Sequence, residues 1–141
     1  MTETKGMVRE ASTADITSIR SLMQGEPGFW QPWWSDRTVA EAIRSADGLA
    51  FVWEENSEIL GLVCPHDLGF RAYLSELVVG SGARHRGIGT RLVQAVEEAL
   101  RGKDLRVLIA DVWRDAEPFY RSLGWEPPDV LLLRQLLKPR N

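Results

Sequence analysis

Three arginines, one histidine and three glycines fall within GARHRGIGTRL, residues 82–92, between the apolar run YLSELVV (73–79) and a helical pattern that opens at Ile88. A plain turn needs one or two glycines. Where a strand feeds a helix, the free N–H groups of the first helical turn and the positive end of the helix dipole form an anion site. Gly87 and Gly89 carry no side chain to block close approach. Arg84, His85 and Arg86 add charge and hydrogen-bond donors at the rim. The expected ligand is a phosphate or pyrophosphate.

Two common phosphate loops do not fit. A Walker-type loop requires Lys then Ser/Thr after its last glycine, whereas Gly89 is followed by Thr90 and Arg91. A dinucleotide fingerprint belongs to the first strand-to-helix unit, whereas this turn comes late in the chain.

The elements that must hold this turn follow from pattern. Residues 7–12 (MVREAS) read as a first strand, and 12–24 as a helix with Ser12 or Thr13 as N-cap, Asp15 in its first turn, and Ile16, Ile19, Leu22 and Met23 at helical spacing. Two prolines and two glycines break up GEPGFWQPWWSD (25–36), which reads as a loop. A second helix follows at 36–46, with Val39, Ala42 and Ile43 on one face. Residues 49–55, 58–66 and 70–79 form an antiparallel meander, since their connections are too short for crossovers. The strongest helix is 88–102, with Leu92, Val93, Val96, Ala99 and Leu100 inward and Gly102 as its stop. LRVLIADVW (105–113) reads as a buried strand, AEPFYRSLG (116–124) as a short helix ended by Gly124, and DVLLLRQLL (129–137) as a final strand. The expected fold is α/β: a mixed, mostly antiparallel sheet of six to seven strands with helices on both faces.

The chain has 141 residues, the size of one ordinary domain, taken as 1–141. Its net charge of −3, from 17 Lys+Arg against 20 Asp+Glu, gives a nucleic-acid role driven by bulk electrostatics no support. No run of about 18 apolar residues is present and MTETKGMVRE lacks an apolar leader, so a cytoplasmic protein without a membrane partner is expected. Cys64 stands alone, which rules out an internal disulfide framework, provides no metal spacing and reads as a small core residue.

A family resemblance unites these features. Arg84-His85-Arg86-Gly87-Ile88-Gly89 resembles the Arg/Gln-x-x-Gly-x-Gly/Ala signature of GNAT-type N-acetyltransferases, at the expected strand-to-helix junction. AEPFYRSLGW (116–125) is similar to that family's Ala-x-x-x-Tyr-x-x-x-Gly-Phe/Trp segment, and VREASTADITSI (8–19) to its Ile/Val-Arg-x-Ala-x-x-x-Asp opening. Three matches in order cover nearly all the chain.

The resemblance implies acetyl-CoA as co-substrate, its pyrophosphate held by the backbone amides of Arg84, His85, Arg86, Gly87, Ile88, Gly89 and Thr90. Leu77, Val78 and Val79 match the splayed strand whose backbone pairs with the pantetheine arm. Tyr120 matches the tyrosine that many members place near the CoA sulfur as general acid, and a tyrosine is protonated at neutral pH. Glu76 is the candidate base, acting directly or through water. Strand alternation puts Glu76 and Val78 on one face, Ser75 and Leu77 on the other. The acceptor pocket is expected from residues 25–36, where Phe29, Trp30, Trp33 and Trp34 form an aromatic wall with Glu26 and Asp36 at its edge, suited to an amine on an apolar or planar body. The same cluster also fits a lid or an oligomer contact. His66 and Asp67 read as a solvated turn, with a position facing the acceptor as the other reading.

His85 and Ser81 depart from the glycine and proline common in the family, and Trp113 stands where many members have an asparagine that contacts the pantetheine. The implied function is transfer of acetyl to a primary amine of a small molecule or peptide by direct attack. The alternatives are a non-catalytic acyl-CoA sensor and a nucleotide-phosphate binder of another fold. The apolar residues of LLLRQLLKPR (131–140) exceed what one strand edge needs, which raises a homodimer through that edge.

Overall fold

Asn56 and Ser57 take left-handed backbone, with φ of 52° and 63°. They close β2 (Phe51–Glu55) onto β3 (Glu58–Asp67). A two-residue connection with positive φ at both positions matches the natural twist of paired strands. The computed structural model describes residues 6–140; the reading of the first five residues as free of a leader lies outside these.

From this hairpin the sheet extends both ways, in the order β1-β2-β3-β4-β5. β1 (Met7–Glu10) pairs antiparallel with β2, and β4 (Ala72–Val79) antiparallel with β3. After α3 (Ile88–Arg101) the chain returns as β5 (Leu108–Ile109), parallel to β4. Two further helices, α1 (Ile16–Gln24) and α2 (Asp36–Ala46), precede β2.

The sheet's two faces are told apart along β3. A Cβ added at Gly61 would meet Leu92 Cδ1 at 3.0 Å and Ile88 Cγ2 at 3.1 Å, so α3 lies against that face. Leu62 and Cys64, of opposite alternation, line a cavity with Ile19 of α1 and Ile43 of α2. Helices thus cover both faces, as the pattern indicated, and α3 buries Ile88, Leu92, Val93, Val96 and Leu100. Ala99 is only half-buried.

Two expectations about strands are corrected. Among the described residues the sheet has five strands, not six to seven. Of 105–113 only Leu108 and Ile109 pair, and residues 129–137 form no regular element. A strand exists through its ladder, and apolar content alone supplies no partner. Val107 is 50 % exposed, and Val130, Leu131, Leu132, Leu133, Leu136 and Leu137 are all largely exposed.

The chain divides between Ala110 and Asp111 into two compact units. The first carries the sheet with α1, α2 and α3; the second carries α4 (Glu117–Ser122), which gives way to a left-handed Gly124 at φ 93°. Among the described residues no helix is long and apolar enough to cross a membrane.

β1 is fastened to α1 by charge. Ser12 caps the turn Thr13–Asp15, its Oγ accepting from Ala14 N–H at 3.3 Å while Asp15 Oδ2 accepts from Ser12 N–H at 2.8 Å. The Arg9 guanidinium donates to both Asp15 oxygens at 2.9 and 2.8 Å and to both Glu54 oxygens at 3.3 and 3.1 Å. Arg9 holds the buried Asp15 carboxyl below the usual carboxylate range, burial acting the other way. Asp15→Asn is therefore expected to cost about 1–3 kcal/mol of stability at pH 7. The folded-state pKa is the lower one, so this stabilisation is present above about pH 4 and is lost as pH falls through the folded value. Urea midpoints measured from pH 7 downward should fall more shallowly in the Asn variant.

Candidate active site

β4 ends in a single turn, Ser81–Ala83, closed by Ala83 N–H donating to the Gly80 carbonyl at 2.9 Å. The backbone is then extended at Arg84, left-handed at His85 with φ 65°, and left-handed again at Gly87 with φ 79°. Gly87 is the N-cap of α3, and no side chain caps this helix. The N–H groups of its first turn are thus open to a ligand. A Cβ at Gly87 would meet no atom within 4 Å, so the glycine leaves open space there. Ile88, the first helical residue, is 1 % exposed and anchors the turn against β3.

The rim arginines brace this turn. Arg84 Nη2 donates to Glu26 Oε1 at 2.5 Å, and Glu26, just after α1, is 6 % exposed. Arg86 Nη2 donates to Glu55 Oε1 at 2.5 Å and holds that carboxyl below its usual range. Arg91 lies over the Trp53 ring, 5.3 Å from its centroid. The turn is tied in this way to the α1–α2 segment and to the β2–β3 hairpin.

β4 itself is released on one side. β5 pairs with it only at Ala72↔Leu108 and Tyr73↔Ile109, so β5 does not continue the ladder along residues 74–79. Leu77, Val78 and Val79 pair with Val63, Leu62 and Gly61 on the other side, and Val78 is fully buried. This is a splayed edge: one row of main-chain groups belongs to the sheet, while the row facing β5 lies beyond the reach of that strand.

Beneath α1 and α2 lies a part-enclosed cavity of about 90 Å³ whose walls include Met23, Trp30, Trp34, Val39 and Leu62. Its polar groups are Thr38, Ser75 and Glu76, with the Cys64 thiol beside them. Trp30 and Trp34 meet edge to face, ring centroids 5.6 Å apart. Phe29 and Trp33 are not among the lining residues, and Trp33 is 74 % exposed. Of the four aromatic residues expected at the acceptor, Trp30 and Trp34 line this cavity.

Strand alternation separates Ser75 from Glu76, yet both line this cavity. Cys64 pairs with Glu76 but Pro65 pairs with Leu74, which leaves Ser75 as an extra residue in β4. Such a bulge brings successive side chains to one face. His66 is not in a solvated turn either. It belongs to β3, its Nε2 2.9 Å from Ser75 Oγ and its Nδ1 3.0 Å from Ser45 Oγ of α2. Ser75 Oγ also donates to the Cys64 carbonyl at 3.0 Å. The two ring nitrogens of His66 are thus flanked by the hydroxyls of Ser75 and Ser45. Burial pushes the His66 imidazole below its ordinary range, the Ser45 backbone pulling partly back. Asp67 accepts from Gly69 N–H at 2.8 Å and lies outside this group.

Cys64 is 2 % exposed, and its thiol is pushed up to about 12 by burial and then by the Glu76 charge. At pH 8 its thiolate fraction is on the order of 10⁻⁴. Iodoacetamide should leave the folded protein unmodified over an hour and alkylate it fully in denaturant, as read by mass spectrometry.

The sequence profile of the acetyltransferase (GNAT) family matches residues 16–125. The chain belongs to that family. GNAT members use acetyl-CoA, and the solved structures most similar in fold include the PaiA N-acetyltransferase of Thermoplasma acidophilum in complex with coenzyme A. The TM-score is 0.79 at 16% identity, with 89% of this chain and 92% of that one covered. An aminoglycoside N-acetyltransferase in complex with CoA gives 0.76 at 16% identity, covering 96% and 97%. The ribosomal-protein-S18-alanine N-acetyltransferase of Escherichia coli gives 0.72 at 21% identity, covering 85% and 77%. No curated protein matches the chain.

Tyr120, expected as the general acid, lies in the second unit. It is 9 % exposed, its ring edge to face with Phe119 and Trp125 at 5.2 Å each. Trp113, at the position where an asparagine is common, is 56 % exposed and its carbonyl accepts from Ala116 N–H at 2.9 Å.

Proposed function

We propose that this GNAT protein transfers acetyl from acetyl-CoA to the primary amine of a small molecule or peptide, residues 1–141 acting as one catalytic domain. The observation that carries this reading is the uncapped N-terminus of α3 behind a left-handed Gly87, following a β4 that β5 releases after Tyr73. The amides of residues 84–90 hold the pyrophosphate, and the backbone of Leu77, Val78 and Val79 receives the pantetheine arm. The amine nitrogen attacks the thioester carbon directly, binding of both substrates side by side removing much of the entropic barrier. As the C–N bond forms and the C–S bond breaks, the amine's surplus proton passes to Glu76 and Tyr120 supplies the proton taken by the thiolate. No acyl-enzyme is needed, which agrees with the suppressed Cys64 thiol.

The test is amine-dependent release of CoA thiol in the presence of acetyl-CoA, run beside calorimetric titration with CoA. Turnover supports the enzyme. Saturable CoA binding with no turnover over a broad amine panel would assign the chain instead to acyl-CoA sensing.

A further inference from the structure

The cavity under α1 and α2 carries information about the acceptor. The cavity is part-enclosed and about 90 Å³, which suits a compact ligand body. Most of its surface is apolar, supplied by Met23, Trp30, Trp34, Val39 and Leu62 among others. Its polar lining includes acceptors. Glu76 is the one carboxylate among the lining residues, and the Ser75 hydroxyl, which donates to the Cys64 carbonyl at 3.0 Å, lines the cavity next to it in sequence. An ammonium satisfies such a lining; a carboxylate ligand is repelled by it.

The surrounding charges argue against a polycation. Along α1, α2 and the segment joining them the carboxylates are committed to arginines: Glu26 to Arg84, Asp36 to Arg20, and Glu41 to Arg44. Beyond Trp30 and Trp34 the surface opens into a depression edged by Arg20, Arg37 and the paired Asp36. A second or third ammonium on the same ligand would meet guanidinium groups there, and the many hydroxyls of a sugar would meet indole.

We infer that the acceptor is a compact apolar monoamine, its single ammonium at Glu76 and Ser75 and its hydrocarbon or aryl body against Trp30 and Trp34. This rests on the acetyltransferase reading and narrows it. A small amine is favoured over a peptide N-terminus because the walls around the body offer a peptide amide only Thr38 as a polar partner.

The experiment is a kcat/KM series at saturating acetyl-CoA: n-alkylamines from propyl to dodecyl, phenethylamine, spermidine, an aminoglycoside and a tripeptide with N-terminal methionine. Each added methylene is expected to raise kcat/KM about three- to fourfold until the cavity is full, after which the gain stops. Ala42→Leu, which adds bulk to the cavity wall, should move the stopping point to shorter chains. Trp34→Ala should move it to longer ones. CoA affinity, read by calorimetry, should be the same in both variants. Preference for spermidine, the aminoglycoside or the tripeptide over every alkylamine, or a series without chain-length dependence, would overturn the assignment while leaving the acetyltransferase intact. CoA binding with no amine acetylated would remove both.

Discussion

Gly87→Glu is expected to weaken acetyl-CoA binding by about 100- to 1,000-fold while Tm falls by only a few degrees. The two effects separate because Gly87 combines two properties. Its φ of 79° is costly for any side chain, on the order of 1 kcal/mol. That corresponds to about 2–8 °C in Tm for domains in this size range. A side chain there collides with nothing, since a Cβ meets no atom within 4 Å, so no further loss of packing follows. The carboxylate would instead occupy the space in front of the uncapped amides of α3. A charge about 4 Å from a pyrophosphate oxygen costs about 4 kcal/mol at an effective dielectric of 20, the origin of the upper figure. Gly87→Ala carries the same backbone cost without the charge and should stay within about tenfold of the native affinity. Calorimetric titration with acetyl-CoA checks both variants. Native affinity in the glutamate variant would mean that the turn is not where the cofactor binds.

The turn was legible because everything it needs is local. Glycine at 87, the strand before it and the amphipathic helix after it are all pattern features within some thirty residues, and the structure has them in place. The meander was legible for the same reason, each connection being too short for any other pairing. What failed was what depends on a partner elsewhere. The apolar runs 105–113 and 129–137 look like strands in isolation, yet a strand is a relation between two segments, and only Leu108 and Ile109 find one.

The acceptor side shows the same division. Residues 25–36 stood out by their tryptophans, but which rings face inward was not legible: Trp30 and Trp34 line the cavity, while Trp33 is largely exposed. The Arg84–Glu26 contact joins residues 58 apart and leaves no local signature. Ser75 was misassigned because alternation fails where a strand bulges, and here a signal was available. Pro65 stands inside an otherwise regular strand, and a proline within a ladder marks an edge or a bulge. Reading it so would have brought Ser75, and His66 behind it, to the same face as Glu76.

Tyr120→Phe is expected to lower kcat by about 100-fold or more, the usual size of a general-acid contribution, with the affinity for acetyl-CoA unchanged. Phenylalanine keeps the ring, and with it the edge-to-face contacts to Phe119 and Trp125 that hold α4 to the chain following it. Loss of the hydroxyl should therefore change the chemistry far more than the packing, and Tm is the control. The division between kcat and KM identifies the role. A group that protonates the departing thiolate acts only as the C–S bond breaks, so kcat and kcat/KM should fall together. The leaving group offers a second readout. An acyl donor with a more acidic thiol needs less help from an acid, so the gap between Tyr120→Phe and native enzyme should narrow on such a donor. Equal gaps on both donors, or native kcat in the variant, would assign Tyr120 to the core of α4 and leave the thiolate to be protonated by water.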